Sequence, residues 1–330
     1  MSERSLTLRR DGLAARKERL YQYLLAGCAL LTLLVTVGII LSLLGRTLVF
    51  FGTVSPIDYL TGTNWSPLIG EASYGVLPLI SGTLIITVVS ALIALPIGLA
   101  IAIYLSEYAS RQVRSVLKPA LEMLAGIPTV VYGYFALVYV TPLLNRVLPI
   151  SISVVPGWVP VVPEFTLVLP SLRTFNVLSA SIVVGLMIIP MVSSISEDTI
   201  SAIPDSIRNA AYGLGSTKFD VSTKVVVPAA ASGIISSYVL ALSRAIGETM
   251  AVTIAAGQSP RLPFFPDVLR NLVESTQTIT AAMVQIAQAE SRGGALFESM
   301  FALGMTLFAI TLLMNIFAEL VRRRYREVYN

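Results

Sequence analysis

The sequence contains no histidine and a single cysteine, Cys28, in 330 residues. Without histidine it lacks the commonest general base and the commonest metal ligand. One cysteine excludes an internal disulfide and a cysteine-built zinc centre. Charge is scarce as well: acidic residues, lysine and arginine make up 13% of the chain, against about 25% in soluble domains. With 55% hydrophobic residues and a mean hydropathy of +0.78, there is too little polar surface to coat the two soluble domains that length alone would allow. A phosphate-cradling loop of G-x4-G-K-S/T order is missing too, since Gly213-Leu214-Gly215-Ser216-Thr217-Lys218 lacks that order. The chain is therefore expected to be no enzyme, with no catalytic residue, metal or cofactor, and to reside in a membrane.

What the sequence has in abundance is long apolar runs. A bilayer core of about 30 Å needs roughly 20 apolar residues per helix. Six stretches meet or approach this: Leu20 to Leu44, Val76 to Leu105, Ala120 to Leu144, Val177 to Ile195, Ile234 to Ala256 and Leu296 to Val321. Pro119, Pro128 and Pro142 interrupt the third, which membrane helices tolerate when neighbours satisfy the freed backbone groups. The expected organisation is a basic tail (1–19), a first transmembrane helix (20–44), an external loop (45–75), a core of five transmembrane helices (76–321) containing an inner loop (196–228), and a second basic tail (322–330). The fold class is all-α integral membrane.

Basic residues set the orientation, because lysine and arginine favour the cytoplasmic side of short loops. Of the 23 lysines and arginines, 16 fall in the two tails and the second and fourth loops; six fall in the other three loops, and Arg244 lies within a span. Both termini are therefore expected in the cytoplasm, consistent with an even number of spans. Basic tails attached directly to spans argue against nucleic-acid binding. Leu25-Ala26-Gly27-Cys28 resembles a lipoprotein processing box, but the apolar run continues about 16 residues past Cys28, so a cleaved signal is not expected.

The outer loops carry Pro56, Asp58, Trp65 and Pro67, then Trp158 in a proline-rich stretch. This composition suits ordered turns at the membrane surface and equally a docking surface for an external partner. Asp267 to Gln288 reads as a partly apolar helix outside the membrane. The inner loop from Ser196 to Pro228 is the most informative: Pro204 and Asp205 suit a helix start, Ala210 and Ala211 favour helix, and Gly213 or Gly215 permits a sharp turn after it. A short exposed helix ending in a tight turn makes a knob that fits a groove in a partner.

Asn209-Ala210-Ala211, Gly215 and Val225-x-Val227-Pro228 resemble the E-A-A-x3-G-x9-I-x-L-P motif of ABC importer permeases, with Asn209 replacing the usual glutamate. Further segments, among them Leu60-Thr61-Gly62-Thr63-Asn64-Trp65, Ala125-Gly126-Ile127-Pro128-Thr129 and Ser243-Arg244-Ala245-Ile246-Gly247-Glu248-Thr249, resemble phosphate importer permeases of the PstC type. The resemblance implies the type I ABC importer permease fold in a bacterial inner membrane. It also implies a coupling loop at Asn209, Ala210, Ala211, Gly215, Val225, Val227 and Pro228. The implied partners are a second permease of the PstA type, two copies of an ATPase subunit and an external phosphate-binding protein.

Arg244 and Glu248 stand within the fifth span, four residues apart and so on one face of a continuous helix. A mid-helix arginine costs about 2.5–3.5 kcal/mol on insertion scales and therefore usually faces the bundle interior. Either the two neutralise each other and lock helices together, or Arg244 is a stepping stone for an anion and Glu248 limits how tightly it binds. The base precedes the acid, the weaker order for an intrahelical pair. The expected substrate path comprises Arg244, Glu248, Thr249, Pro128 and Thr129, with Gly126 to Thr129 able to unwind. Another oxyanion, such as sulfate or molybdate, or an ion-coupled secondary transporter using the same pair, remain open alternatives.

Overall fold

The computed structural model describes residues 12–68, 70–147, 151–153, 166–168, 171–265, 267, 269–289 and 293–325. Trp158 and both chain ends, including Arg4, Arg9, Arg10 and Arg326, lie outside them. Five helical stretches are long and apolar enough to cross a membrane: Glu18–Phe51, Leu77–Tyr108, Thr129–Val147, Val177–Ser201 and Gly294–Arg323. A sixth is broken, with Lys218–Ala229 meeting Ala231–Ile246 at 71°. The chain is an all-α membrane bundle.

The helices, in chain order, are α1 (Gly12–Phe51), α2 (Pro56–Thr61), α3 (Leu77–Ile103), α4 (Arg111–Ala125), α5 (Thr129–Phe135), α6 (Thr141–Val147), α7 (Val177–Ser201), α8 (Asp205–Gly213), α9 (Lys218–Asp220), α10 (Val227–Ala229), α11 (Ala231–Ile246), α12 (Met250–Ala256), α13 (Arg270–Val273), α14 (Ile279–Gln288) and α15 (Gly294–Tyr325). π-helical turns at Tyr104–Tyr108, Ala136–Val140 and Val221–Val226 continue α3, join α5 to α6 and join α9 to α10. Two short antiparallel hairpins, Trp65–Ser66 with Ser73–Tyr74 and Ser151–Ser153 with Thr166–Val168, lie in the outer loops.

α7 is the axis of the bundle. Its most apolar stretch is 67% buried, whereas that of α1 has nothing buried and packs mainly on α15. α3 runs along α7 at close range because small residues open the interface. A β-carbon on Gly98 would stand 2.6 Å from Val192 Cγ1, and one on Gly185 would meet the Ser90 carbonyl at 3.3 Å. Asn176 starts α7 by accepting the Ser179 N–H at 2.7 Å. At the outer end, Phe50, Phe51, Tyr59, Tyr74 and Trp65 pack edge to face, and the Tyr59 and Thr306 hydroxyls lie 2.8 Å apart. The first outer loop is thus an ordered aromatic cap on α15.

Three boundaries differ from the sequence-based expectation. The third span begins at Thr129 rather than near Ala120, because Arg111 to Ala125 forms a separate amphipathic helix with no buried residue. The fifth is not one helix from Ile234 to Ala256: α11 stops at Ile246, and α12 starts afresh at Met250. The segment from Asp267 to Gln288 is not one helix. It divides into α13 and α14, and Ile279, Ala281, Ala282 and Ile286 of α14 are buried against α3, α12 and α15.

Candidate functional site

Two unwound links lie at the ends of spans, and each starts a short helix that packs on the other. At the first, α4 ends at Ala125, Gly126 caps it, and α5 begins after Pro128. The cause is local: Pro128 has no N–H for the Leu124 carbonyl. The Tyr132 hydroxyl donates to that carbonyl instead, at 2.9 Å. At the second, Gly247 caps α11 and the chain restarts at Thr249. Here the Thr280 hydroxyl, from α14, donates to the freed Glu248 carbonyl at 2.8 Å. α5 and α12 then pack together through Gly133, where a β-carbon would stand 3.0 Å from Ala251 Cα.

The break changes the geometry expected of Arg244 and Glu248. They do not share one helical face, because Glu248 sits in the unwound link. Glu248 is 7% exposed, and its Oε1 accepts the Ala251 N–H at 3.2 Å, capping the first turn of α12. Arg244 is exposed in the isolated chain, in the last turn of α11, with no ion pair or hydrogen bond among the described residues. The two therefore do not neutralise each other. Thr249 is half-buried, and its hydroxyl donates to the Gly247 carbonyl at 3.2 Å. Pro128 is exposed and Thr129 half-buried at the start of α5.

The knob expected between α7 and α11 is present as α8 and the turn after it. Gly215, at φ +83°, makes the turn, while Gly213 remains helical. The Gly215 N–H donates to the Tyr212 carbonyl at 2.9 Å, and the Ser216 N–H to that of Ala211 at 3.2 Å, closing the C-terminal turn of α8. Ala211 is buried against Ile200, Val221 and Val226, with Val225 and Val227 packed beside them. Asn209, Ala210 and Pro228 are exposed. So are Leu214, at 88%, and Phe219, at 65%. Apolar side chains this exposed at a polar tip suit a partner's groove.

Beneath the knob lies a polar network that sequence reading did not foresee. Arg208 of α8 donates through Nη2 and Nε to Glu107 Oε1 at 2.9 and 3.2 Å. It also donates to the Ile200 carbonyl at 2.8 Å and to that of Ile203, satisfying groups left open at the end of α7. One turn back on α7, Glu197 is fully buried. It pairs with Arg114 and, at 2.7 Å, with Lys118, both on α4, and accepts the Ser201 hydroxyl at 2.9 Å. Lys118 also pairs with Asp198. Burial pulls the Lys118 ammonium down, but hydrogen bonds to Asp198 and Glu197 outweigh it and hold the pKa above the ordinary lysine value. Its stabilising contribution is therefore fully present below the ordinary value and is lost only as pH rises through the raised one. The one signal in the sequence was Glu197-Asp198 closing an apolar run.

A broken-span bundle with an exposed knob at its more basic end is the architecture of a transport permease, and comparison with known proteins agrees. The chain belongs to the family of binding-protein-dependent transport system inner membrane components, whose profile matches residues 94–327. It is thus an integral inner-membrane permease subunit and not itself the ATPase. Its relatives are more specific. It is 32% identical to the phosphate transport system permease protein PstC of Mesorhizobium japonicum, over 98% of this chain and 94% of that one. It is also 32% identical to PstC of Haemophilus influenzae, over 94% of each, and to the probable ABC transporter permease protein YqgH of Bacillus subtilis, over 88% and 86%. Among solved structures, a bacterial alginate ABC transporter in complex with a pentasaccharide-bound periplasmic protein superposes with a TM-score of 0.58 at 15% identity, covering 94% of this chain and 98% of that one. The MetNI methionine ABC transporter superposes at 0.53 and 16%, covering 76% and 97%. The fold is that of ABC importer permeases.

Proposed function

We propose that this chain is a permease subunit of an ATP-driven importer that takes inorganic phosphate from an external binding protein and passes it across the inner membrane. The observation that carries this reading is Arg244, a cation in the last turn of α11 beside the unwound link to α12, with no ion-pair partner among the described residues. An unpaired arginine is expensive in a bilayer, and a passing oxyanion offsets that cost transiently. Its planar fork can give a phosphate two hydrogen bonds at once. The relatives that are named phosphate transport permeases favour phosphate over sulfate or molybdate.

In this reading the path runs past Arg244, Thr249, Pro128 and Thr129. The two hydroxyls and the freed backbone at the breaks supply neutral donors that let the anion leave as well as bind. Glu248 acts indirectly, holding the start of α12 and keeping negative charge near the path. Asn209, Ala210, Ala211, Gly215, Val225, Val227 and Pro228 build the knob that an ATPase subunit engages. Two ATPase copies, a second permease of the PstA type and the binding protein complete the assembly, with both termini of this chain in the cytoplasm.

The test is purification of the assembly in gentle detergent, followed by phosphate uptake in proteoliposomes. ATP-dependent uptake of phosphate, abolished by Arg244→Gln in a complex that still assembles, is the expected result. Preference for sulfate would overturn the substrate. Gradient-driven uptake by the chain alone would overturn the importer. Unchanged uptake by the variant would remove Arg244 from the path.

A further inference from the structure

We propose that Glu197 is a positioning residue for transport, carrying movement of the docking helix α8 to α4 and so to the unwound link at Gly126–Pro128. This rests on the reading of α8 as the part that an ATPase subunit engages.

The connection is continuous. Arg208 on α8 grips Glu107 and the Ile200 and Ile203 carbonyls at the end of α7. Ser201, next to Ile200, donates to Glu197 Oε1 at 2.9 Å and receives the Arg114 guanidinium at 3.0 Å. Its hydroxyl also lies 3.2 Å from that of Ser106, in the π-helical turn ending α3. Glu197 Oε1 then meets Arg114, and Oε2 meets Lys118 at 2.7 Å. One carboxylate, fixed on the most buried helix, thus holds both cations of the α4 face that meets α7.

The grip is decisive because, beside the pair of Lys118 with the exposed Asp198, α4 has little else to hold it. None of its residues is buried, so no apolar core ties it to the bundle. Seven residues beyond Lys118, α4 ends and the backbone unwinds into Gly126 and Pro128. A helix held by ion pairs at one end and by an unwound link at the other moves as a rod with whatever holds the ion pairs. Three unlike elements, α3, α7 and α8, meet at that hold. Without the Glu197 carboxylate, α8 could move while α4 stayed behind.

The experiment uses the full assembly in proteoliposomes, with inorganic phosphate as the transported probe, and reads ATP hydrolysed per phosphate imported. For Glu197→Gln the ratio should rise at least about fivefold, the lower end of ordinary coupling factors. Arg114→Gln with Lys118→Gln, which removes the same grip from its solvent side, should do likewise and decides the matter if Glu197→Gln does not assemble. Spin labels at Gln112 of α4 and Ser206 of α8 supply a second readout. Their separation should stay constant through the ATP cycle in the wild type and change in the variants. An assembled variant with a wild-type ratio and constant separation overturns the role of Glu197 alone. A wild-type assembly without ATP-dependent phosphate uptake overturns this role together with the function it rests on.

Discussion

Single residues set two chemical properties that matter here, an exposed cation at the end of α11 and a left-handed turn after α8. Arg244 has no ion pair among the described residues, since Gly247 ends α11 and Glu248 turns to cap α12 instead. Gly215 holds φ +83° with nothing within 4 Å of where a β-carbon would be. Any cost of filling that position is therefore a backbone cost. Gly215→Ala should cost about 1 kcal/mol in the docking conformation, seen as a roughly fivefold weaker apparent affinity of the ATPase subunit in a titration. Asn209, by contrast, is exposed and makes no contact that explains the choice of amide over carboxylate.

At the scale of elements, the α4–α5 and α11–α12 junctions share one device: a helix ends in glycine, a short link is unwound, and a new short helix packs on its counterpart. Pro128 maintains the first link by withholding a donor from Leu124, and Tyr132 fills the gap. Pro128→Ala restores that donor and should let α4 and α5 join. Spin labels at Met123 and Val130 would then report a shorter, narrower distance distribution, together with loss of uptake. The interface of α3 with α7 makes the opposite demand, continuous helices in close contact. Gly98→Val would place a β-carbon 2.6 Å from Val192 Cγ1. It should destabilise the protein by about 1–3 kcal/mol, seen as a lower Tm in detergent. Gly27→Val on α1, where nothing lies within 4 Å of the added carbon, should leave Tm unchanged.

At the scale of the molecule, the two ends are built differently. The ion pairs of α4, α7 and α8 collect at one end, and the aromatic cap of Phe50, Tyr59, Tyr74 and Trp65 collects at the other. Positive-inside bias predicts that the knob faces the cytoplasm. A variant freed of its single thiol by Cys28→Ser makes this measurable. Leu214→Cys in that background should react with an impermeant maleimide only in inside-out vesicles, and Ile57→Cys only in right-side-out ones. The reverse pattern would invert the orientation.

Composition and spacing by themselves determined the membrane class and a knob closed by a glycine, Gly213 or Gly215; the structure chose Gly215. These are local consequences of apolar run length, of helix start and stop residues, and of a φ that only glycine adopts freely. The candidate site was legible as a set of residues and not as an arrangement. Four-residue spacing put Arg244 and Glu248 on one face, and only the tertiary structure separated them, because α14 supplies Thr280 to a carbonyl that a continuous helix would have used itself. The same holds for Arg114, Lys118 and Arg208, which in the sequence record only orientation. Folding brings residues about 80 to 100 positions apart onto Glu197 and Glu107, and contact between such distant groups has no local signature to read.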